Sequence, residues 1–223
     1  MPHDVPFVFF DEYEEVSIYR CSLPHWRQDG VLYFVTFRLA DSLPLSITEG
    51  WKEERRIWLA ARGLRSEAHL RTLPRAERYE FARQFNRKVH IVLDGGHGSC
   101  WLGKPEIAGI VSEAFLKGDN ESYALGDFVI MPNHVHVLVA PAPKQKIEGI
   151  LKNWKGRTAR FANQRLGRTG KFWQRESYDR LVRDETELAA FRTYIAANPG
   201  KANLREGQYL LGRGALFGEG ITT

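Results

Sequence analysis

Only two cysteines, Cys21 and Cys100, occur in 223 residues. Two distant thiols cannot build a disulfide framework or a thiolate zinc site, and they fit a reducing cytoplasm. No apolar run approaches the ~18 residues that a membrane span needs. The acids Asp4, Asp11, Glu12, Glu14 and Glu15 near the N-terminus are foreign to a secretory leader. No internal repeat is present, which argues against a solenoid. Net charge is also small, at +5. What remains is an ordinary globular composition, 43% hydrophobic and 12% aromatic, enough for a true core. The expectation is one domain over 1–223.

The modest net charge hides a strong segregation. Between Lys144 and Arg175 there are ten basic residues and a single acid, Glu148, a local net of +9. Such a stretch points to a polyanion, with phosphate the first candidate, although a solvated basic helix has the same composition.

Hydrophobic spacing gives the order of elements. Residues 1–30 read as irregular, punctuated by Pro6, Pro24 and Gly30. Val31 to Ala40 alternates as a first strand. Residues 42–94 are charged and predict two helices near 47–62 and 75–92, a helical insertion packed on the main sheet. Pro105 opens a helix to about Lys117, in the first-turn position that proline favours. Tyr123–Ile130 and His134–Ala140 read as two strands of a hairpin. A long helix follows over 144–164, with Ile147, Ile150, Leu151, Trp154 and Phe161 as its apolar stripe. Phe172-Trp173 starts a short strand, 184–197 is a last helix, and 207–223 is a peripheral tail. The fold class expected is α+β, a ferredoxin-like antiparallel sheet with helices packed on one face.

The most informative motif is Met131-Pro132-Asn133-His134-Val135-His136. Residues i and i+2 of a strand share a face, so His134 and His136 project together. Two adjacent imidazoles are either a metal-binding pair or two unrelated polar residues. Tyr194 and Asn198 lie one turn apart on the last helix, so a phenol and an amide could approach one point. If that point is the histidine pair, the mixed nitrogen and oxygen donors suit Mg²⁺ or Mn²⁺ acting on phosphate better than a closed zinc site. A tyrosine nucleophile needs such help, because forming its phenolate at pH 7 costs about 4 kcal/mol. Tyr178 is a rival nucleophile without an amide one turn on. Gly98 to Lys104 has the spacing of a phosphate-binding loop, but Pro105 replaces the required Ser or Thr. His97 reads as a surface residue, and Cys100 as packed against Trp101.

Four motifs occur in order: Met131-Pro132-Asn133-His134-Val135-His136, Phe172-Trp173-Gln174-Arg175, Leu181-Val182-Arg183-Asp184, and Tyr194-Ile195-Ala196-Ala197-Asn198-Pro199. Together they resemble the single-tyrosine transposases with a His-hydrophobic-His motif, and most of all those associated with repetitive extragenic palindromes (REP elements) in bacteria. The resemblance spans roughly 25–205. It implies an enzyme of the bacterial cytoplasm and nucleoid that cuts and rejoins hairpin-forming single-stranded DNA. In it Tyr194 is the nucleophile, forming a 5′-phosphotyrosine link. His134, His136 and Asn198 hold a divalent metal, Mg²⁺ or Mn²⁺. Lys152, Lys155, Arg157, Arg160, Trp173, Gln174, Arg175 and Arg183 face DNA, and the protein acts as a monomer or homodimer. Gly200 departs from the family pattern, where valine is common. Two alternatives stay open: a catalytically silent hairpin-binding protein, and a metal hydrolase that uses activated water.

Overall fold

The computed structural model describes residues 7–20 and 24–217; Asp4, Pro6, Cys21 and the last six residues of the tail lie outside the described residues. Two strands pair within the stretch expected to be irregular: β1 (Ser17–Arg20) and β2 (Pro24–Arg27) form an antiparallel ladder. Strands of four residues are too short to display alternation, and Pro24 occupies the first strand position, where a missing N–H is tolerated. After them come β3 (Tyr33–Arg38), α1 (Leu45–Ala60), α2 (Arg75–Asp94), α3 (Pro105–Leu116), β4 (Tyr123–Ile130), β5 (His134–Pro141), α4 (Ile147–Arg165), β6 (Tyr178–Leu181), α5 (Glu185–Lys201) and β7 (Leu210–Arg213).

The main sheet is antiparallel throughout, in the order β6-β3-β5-β4-β7. Its first four members follow the ferredoxin-like succession strand, helix, hairpin, helix, strand, so the expected α+β class holds. The expected layering does not. On one face Val35, Phe37, Val137 and Val139 pack against Val111 and Phe115 of α3 and Ile150 and Trp154 of α4. On the other face Leu32, Phe34 and Leu138 meet Leu188, Phe191, Tyr194 and Ile195 of α5. Helices therefore cover both faces. The reason is visible in β4 and β5, which are buried along their whole length and so need apolar cover on each side.

Three further expectations change. Phe172-Trp173 does not open a strand: Trp173 makes a single bridge to Leu39, and the edge strand begins at Tyr178. Phe161 is exposed at 41%, flanked by the guanidinium groups of Arg157 and Arg160 instead of core. The tail is not peripheral, because Leu210–Arg213 pairs with β4 as the fifth strand. Its glycines disguise it, yet Gly212 is demanded by packing: a Cβ there would stand 2.2 Å from the Phe128 ring. The insertion carries a core of its own, formed by Leu59, Leu70, Phe81 and Phe85.

Helix α5 runs to Lys201, through Pro199. Asp184 caps it, accepting from Glu187 N at 2.7 Å. At a register shift in β4, Asp127 accepts from Arg192 of α5 and Arg213 of β7, both at 2.7 Å. One carboxylate thus ties the tyrosine helix and the last strand to the sheet.

Candidate active site

His134 and His136 stand on the face that α5 covers, and both are fully buried. Their Nε2 atoms face one another at 3.0 Å. The outer nitrogens are anchored. Thr36 Oγ1, directly across the ladder from His136, lies 2.7 Å from its Nδ1. Asn133 Oδ1 lies 2.7 Å from His134 Nδ1. Asn133 Nδ2 donates to His97 O, so Oδ1 must accept and His134 carries its proton on Nδ1. That tautomer turns the Nε2 lone pair toward the neighbouring ring.

Tyr194 reaches this point from α5. Its hydroxyl is 3.5 Å from His136 Nε2, and its ring meets the His136 ring edge-on at 5.1 Å. Phe34 stacks on His136 and on Phe191, which fixes the helix above the pair. One turn on, Asn198 is fully buried, and neither its Oδ1 nor its Nδ2 has a hydrogen-bond partner. An orphaned amide of this kind costs about 1–3 kcal/mol for each unmade bond. Lys201 places its ammonium 5.0 Å from the centre of the Tyr194 ring.

The donor set fits a hard divalent cation. Two cis ligands about 2.1 Å from an octahedral ion stand about 3.0 Å apart, the separation found here. An orphaned amide oxygen is the kind of neutral ligand such an ion takes. Among the described residues no cluster of three His, Cys, Asp or Glu side chains exists, so a closed structural zinc site is a poor match.

The predicted polyanion-binding residues divide. Trp173 is buried, its Nε1 donating to Thr158 Oγ1 at 2.8 Å, so it belongs to the core and cannot face DNA. Lys155 is partly buried, with Nζ on Arg175 O at 2.8 Å and Ser177 Oγ at 3.0 Å. Burial pulls it down to about 8, with the Arg38 charge acting in the same direction and Glu176 opposing. Lys152, Arg157, Arg160, Arg175 and Arg183 are exposed, and Gln174 is half-buried, its backbone N donating to Arg38 O. The helix that carries the first of these, α4, lies on the opposite side of the sheet from the histidines.

Tyr178 shares the histidine face, directly across from Thr36. It stands one strand farther from His136 than Thr36 does, whereas Tyr194 approaches the imidazole directly. The glycine loop braces the hairpin. Leu102 N donates to Pro132 O, and Ser99 N to Asp41 Oδ2. Cys100 is half-buried with its thiol pushed up by burial, then by Asp41. Sequence reading missed Thr36, Asn133 and Lys201. The first could have been found only from the strand register; Asn133 lies inside the histidine motif and Lys201 just past the tyrosine motif, and neither carried a distinguishing pattern.

The site therefore consists of a sheet-borne imidazole pair with a phenol against it and a buried amide one turn on. Residues 104–198 match the model of a family described as "Transposase IS200 like", a segment that holds His134, His136 and Tyr194 and ends on Asn198. Over that segment the chain resembles these transposases, as its motifs imply. Among solved structures the chain is similar to a REP-associated tyrosine transposase bound to a REP hairpin. Identity is 12% and the TM-score 0.45, covering 85% of this chain and 76% of that one. It is also similar to a protein described as a candidate transposase from Deinococcus radiodurans R1, with 16% identity, a TM-score of 0.29, and 75% and 90% coverage. No curated protein matches the chain.

Proposed function

We propose that the chain is a tyrosine transposase that cleaves and rejoins hairpin-forming single-stranded DNA with a divalent metal. The observation that carries this is the Tyr194 hydroxyl, 3.5 Å from His136 Nε2, which itself faces His134 Nε2 at 3.0 Å. His134, His136 and the Asn198 amide would hold Mg²⁺ or Mn²⁺. That ion supplies polarisation of the scissile phosphate and stabilisation of the leaving oxygen.

The remaining work falls to the chain itself. Tyr194 Oη attacks the phosphorus, the bond to the 3′ oxygen breaks, and a 5′-phosphotyrosine link and a free 3′-hydroxyl result. Attack by another strand's 3′-hydroxyl reverses the step and joins new ends. The phenolate costs about 4 kcal/mol at pH 7. Lys201 offsets part of this by placing positive charge beside the ring that becomes an anion. Phe34 and Phe191 hold the phenol and His136 in one apolar layer, which limits rival attack by water. The exposed cations of α4 and Arg175 supply a sequence-independent grip on the DNA backbone.

Incubation with a labelled hairpin oligonucleotide and Mn²⁺ tests the reading. Wild-type protein forms an adduct that survives denaturing electrophoresis, and Tyr194→Phe forms none. Equal adduct from both proteins would reject the nucleophile. Cleavage that persists in Tyr194→Phe without any adduct would instead favour the water-using hydrolase.

A further inference from the structure

Arg38 ends β3, directly across from His134 in the β3–β5 ladder. Cross-strand partners stand on one face with Cβ atoms about 4.5–5.5 Å apart. The Arg38 side chain therefore leaves the sheet on the face that carries both imidazoles. Burial draws this guanidinium down to about 10, and no nearby carboxylate opposes the shift. Its one side-chain hydrogen bond among the described residues runs from Nη1 to Ser42 Oγ at 3.2 Å. Ser42 Oγ in turn donates to Leu39 O at 2.8 Å, so toward Arg38 it acts only as an acceptor.

Several other partly buried arginines meet carboxylates. Arg27 meets Glu148 and Asp179, Arg62 meets Glu77, and Arg192 and Arg213 share Asp127. A desolvated guanidinium with no carboxylate, set beside a pair suited to a cation, adds positive charge where positive charge already gathers. Such a position is stable chiefly when an anion completes it.

We propose that Arg38 binds a phosphate of the DNA strand at the tyrosine site, an assignment that rests on the strand-joining reading. The guanidinium fork matches two non-bridging phosphate oxygens, which an ammonium cannot grip in the same way. Arg38 also joins the two sides of the sheet. Gln174 N donates to Arg38 O, and the Arg38 charge is felt by Lys155 of α4. Phosphates can therefore run from the histidine pair over Arg38 and around the strand end to the basic helix, which accounts for α4 serving a site on the opposite face.

The test compares wild type, Arg38→Gln and Arg38→Lys on end-labelled hairpin oligonucleotides with randomised single-stranded flanks and Mn²⁺. Arg38→Gln lowers the rate of adduct formation at least tenfold with Mn²⁺ affinity unchanged, and Arg38→Lys recovers part of the rate. In parallel, the salt dependence of binding to oligo-dT is measured. Loss of one phosphate contact reduces the slope of log K against log salt by about 0.7. An Arg38→Gln protein that matches wild type in rate, or in salt slope, overturns the assignment. If wild type forms no adduct, the strand-joining reading fails, and the salt slope alone decides Arg38. Should Arg38→Gln melt early, the same slope measured on Arg38→Met, which keeps the aliphatic stem and removes the charge, at matched foldedness decides it, an unchanged value again counting against.

Discussion

Replacing Thr36 by valine probes whether the imidazoles are set for a cation or merely packed. The two side chains have nearly the same shape, so the change removes one hydroxyl and little else. Thr36 is 5% exposed and its Oγ1 lies 2.7 Å from Nδ1 of the fully buried His136, so no water can take its place easily. An unpaired buried polar atom costs about 1–3 kcal/mol. Loss of an outer partner of a metal-binding histidine costs about 10–100-fold in metal affinity, and at about 1.4 kcal/mol per tenfold the two estimates agree. Mn²⁺ titration followed by electron paramagnetic resonance measures the effect. Thr36→Val weakens binding tenfold or more, while Thr36→Ser, which keeps the hydroxyl, stays within about threefold of wild type. Equal Mn²⁺ affinity in Thr36→Val and wild type would show that the hydroxyl does not orient a ligand.

Asn198→Leu removes an amide that has no partner, so it raises stability by about 1–3 kcal/mol in chemical denaturation while weakening Mn²⁺ binding; a destabilised variant would mean that the amide is satisfied in the fold. Asp127→Ala frees Arg192 and Arg213 from β4, and since both arginines are about a third exposed the cost is low, roughly 1–2 kcal/mol. Adduct formation in that variant slows more than its stability loss explains, because α5 carries Tyr194; an unchanged rate in fully folded protein contradicts this coupling. Lys155 gives a pH effect. Its folded value, about 8, lies below the ordinary 10.5, so above pH 8 the unfolded chain binds the proton more readily than the folded one. Stability from this group therefore rises with pH between about 8 and 10.5. Melting points of wild type and Lys155→Met compared at pH 7 and 9 should show this rise in wild type alone, and parallel curves would refute it.

The strands and helices that bury a periodic face were legible in the sequence. Tyr123–Ile130, His134 onward and the helices from Pro105 and near 147 stand where their spacing puts them. The placing of both histidines on one face followed from strand period alone, and the tyrosine and amide from helical period. Long-range partners were not legible. The Thr36 hydroxyl and Arg38 gain meaning only from the register that sets them against His136 and His134, 100 and 96 positions away. β7 was hidden because Gly212 removes the alternating side chain that marks a strand, for the sake of the Phe128 ring. Trp173, set facing DNA by the family resemblance, lies in the core instead, because a motif match carries a residue's position and not its burial.

The central claim is that Tyr194 becomes covalently joined to DNA at the histidine pair. Peptide mass spectrometry after reaction with a hairpin oligonucleotide and Mn²⁺ tests it most directly. Nuclease trimming and trypsin leave Tyr194 in the peptide 193–201 and Tyr178 in 176–180. A phosphonucleotide mass is expected on the first peptide and absent from His136→Ala. A nucleotide on the Tyr178 peptide, or cleaved DNA with both peptides unmodified, would contradict it.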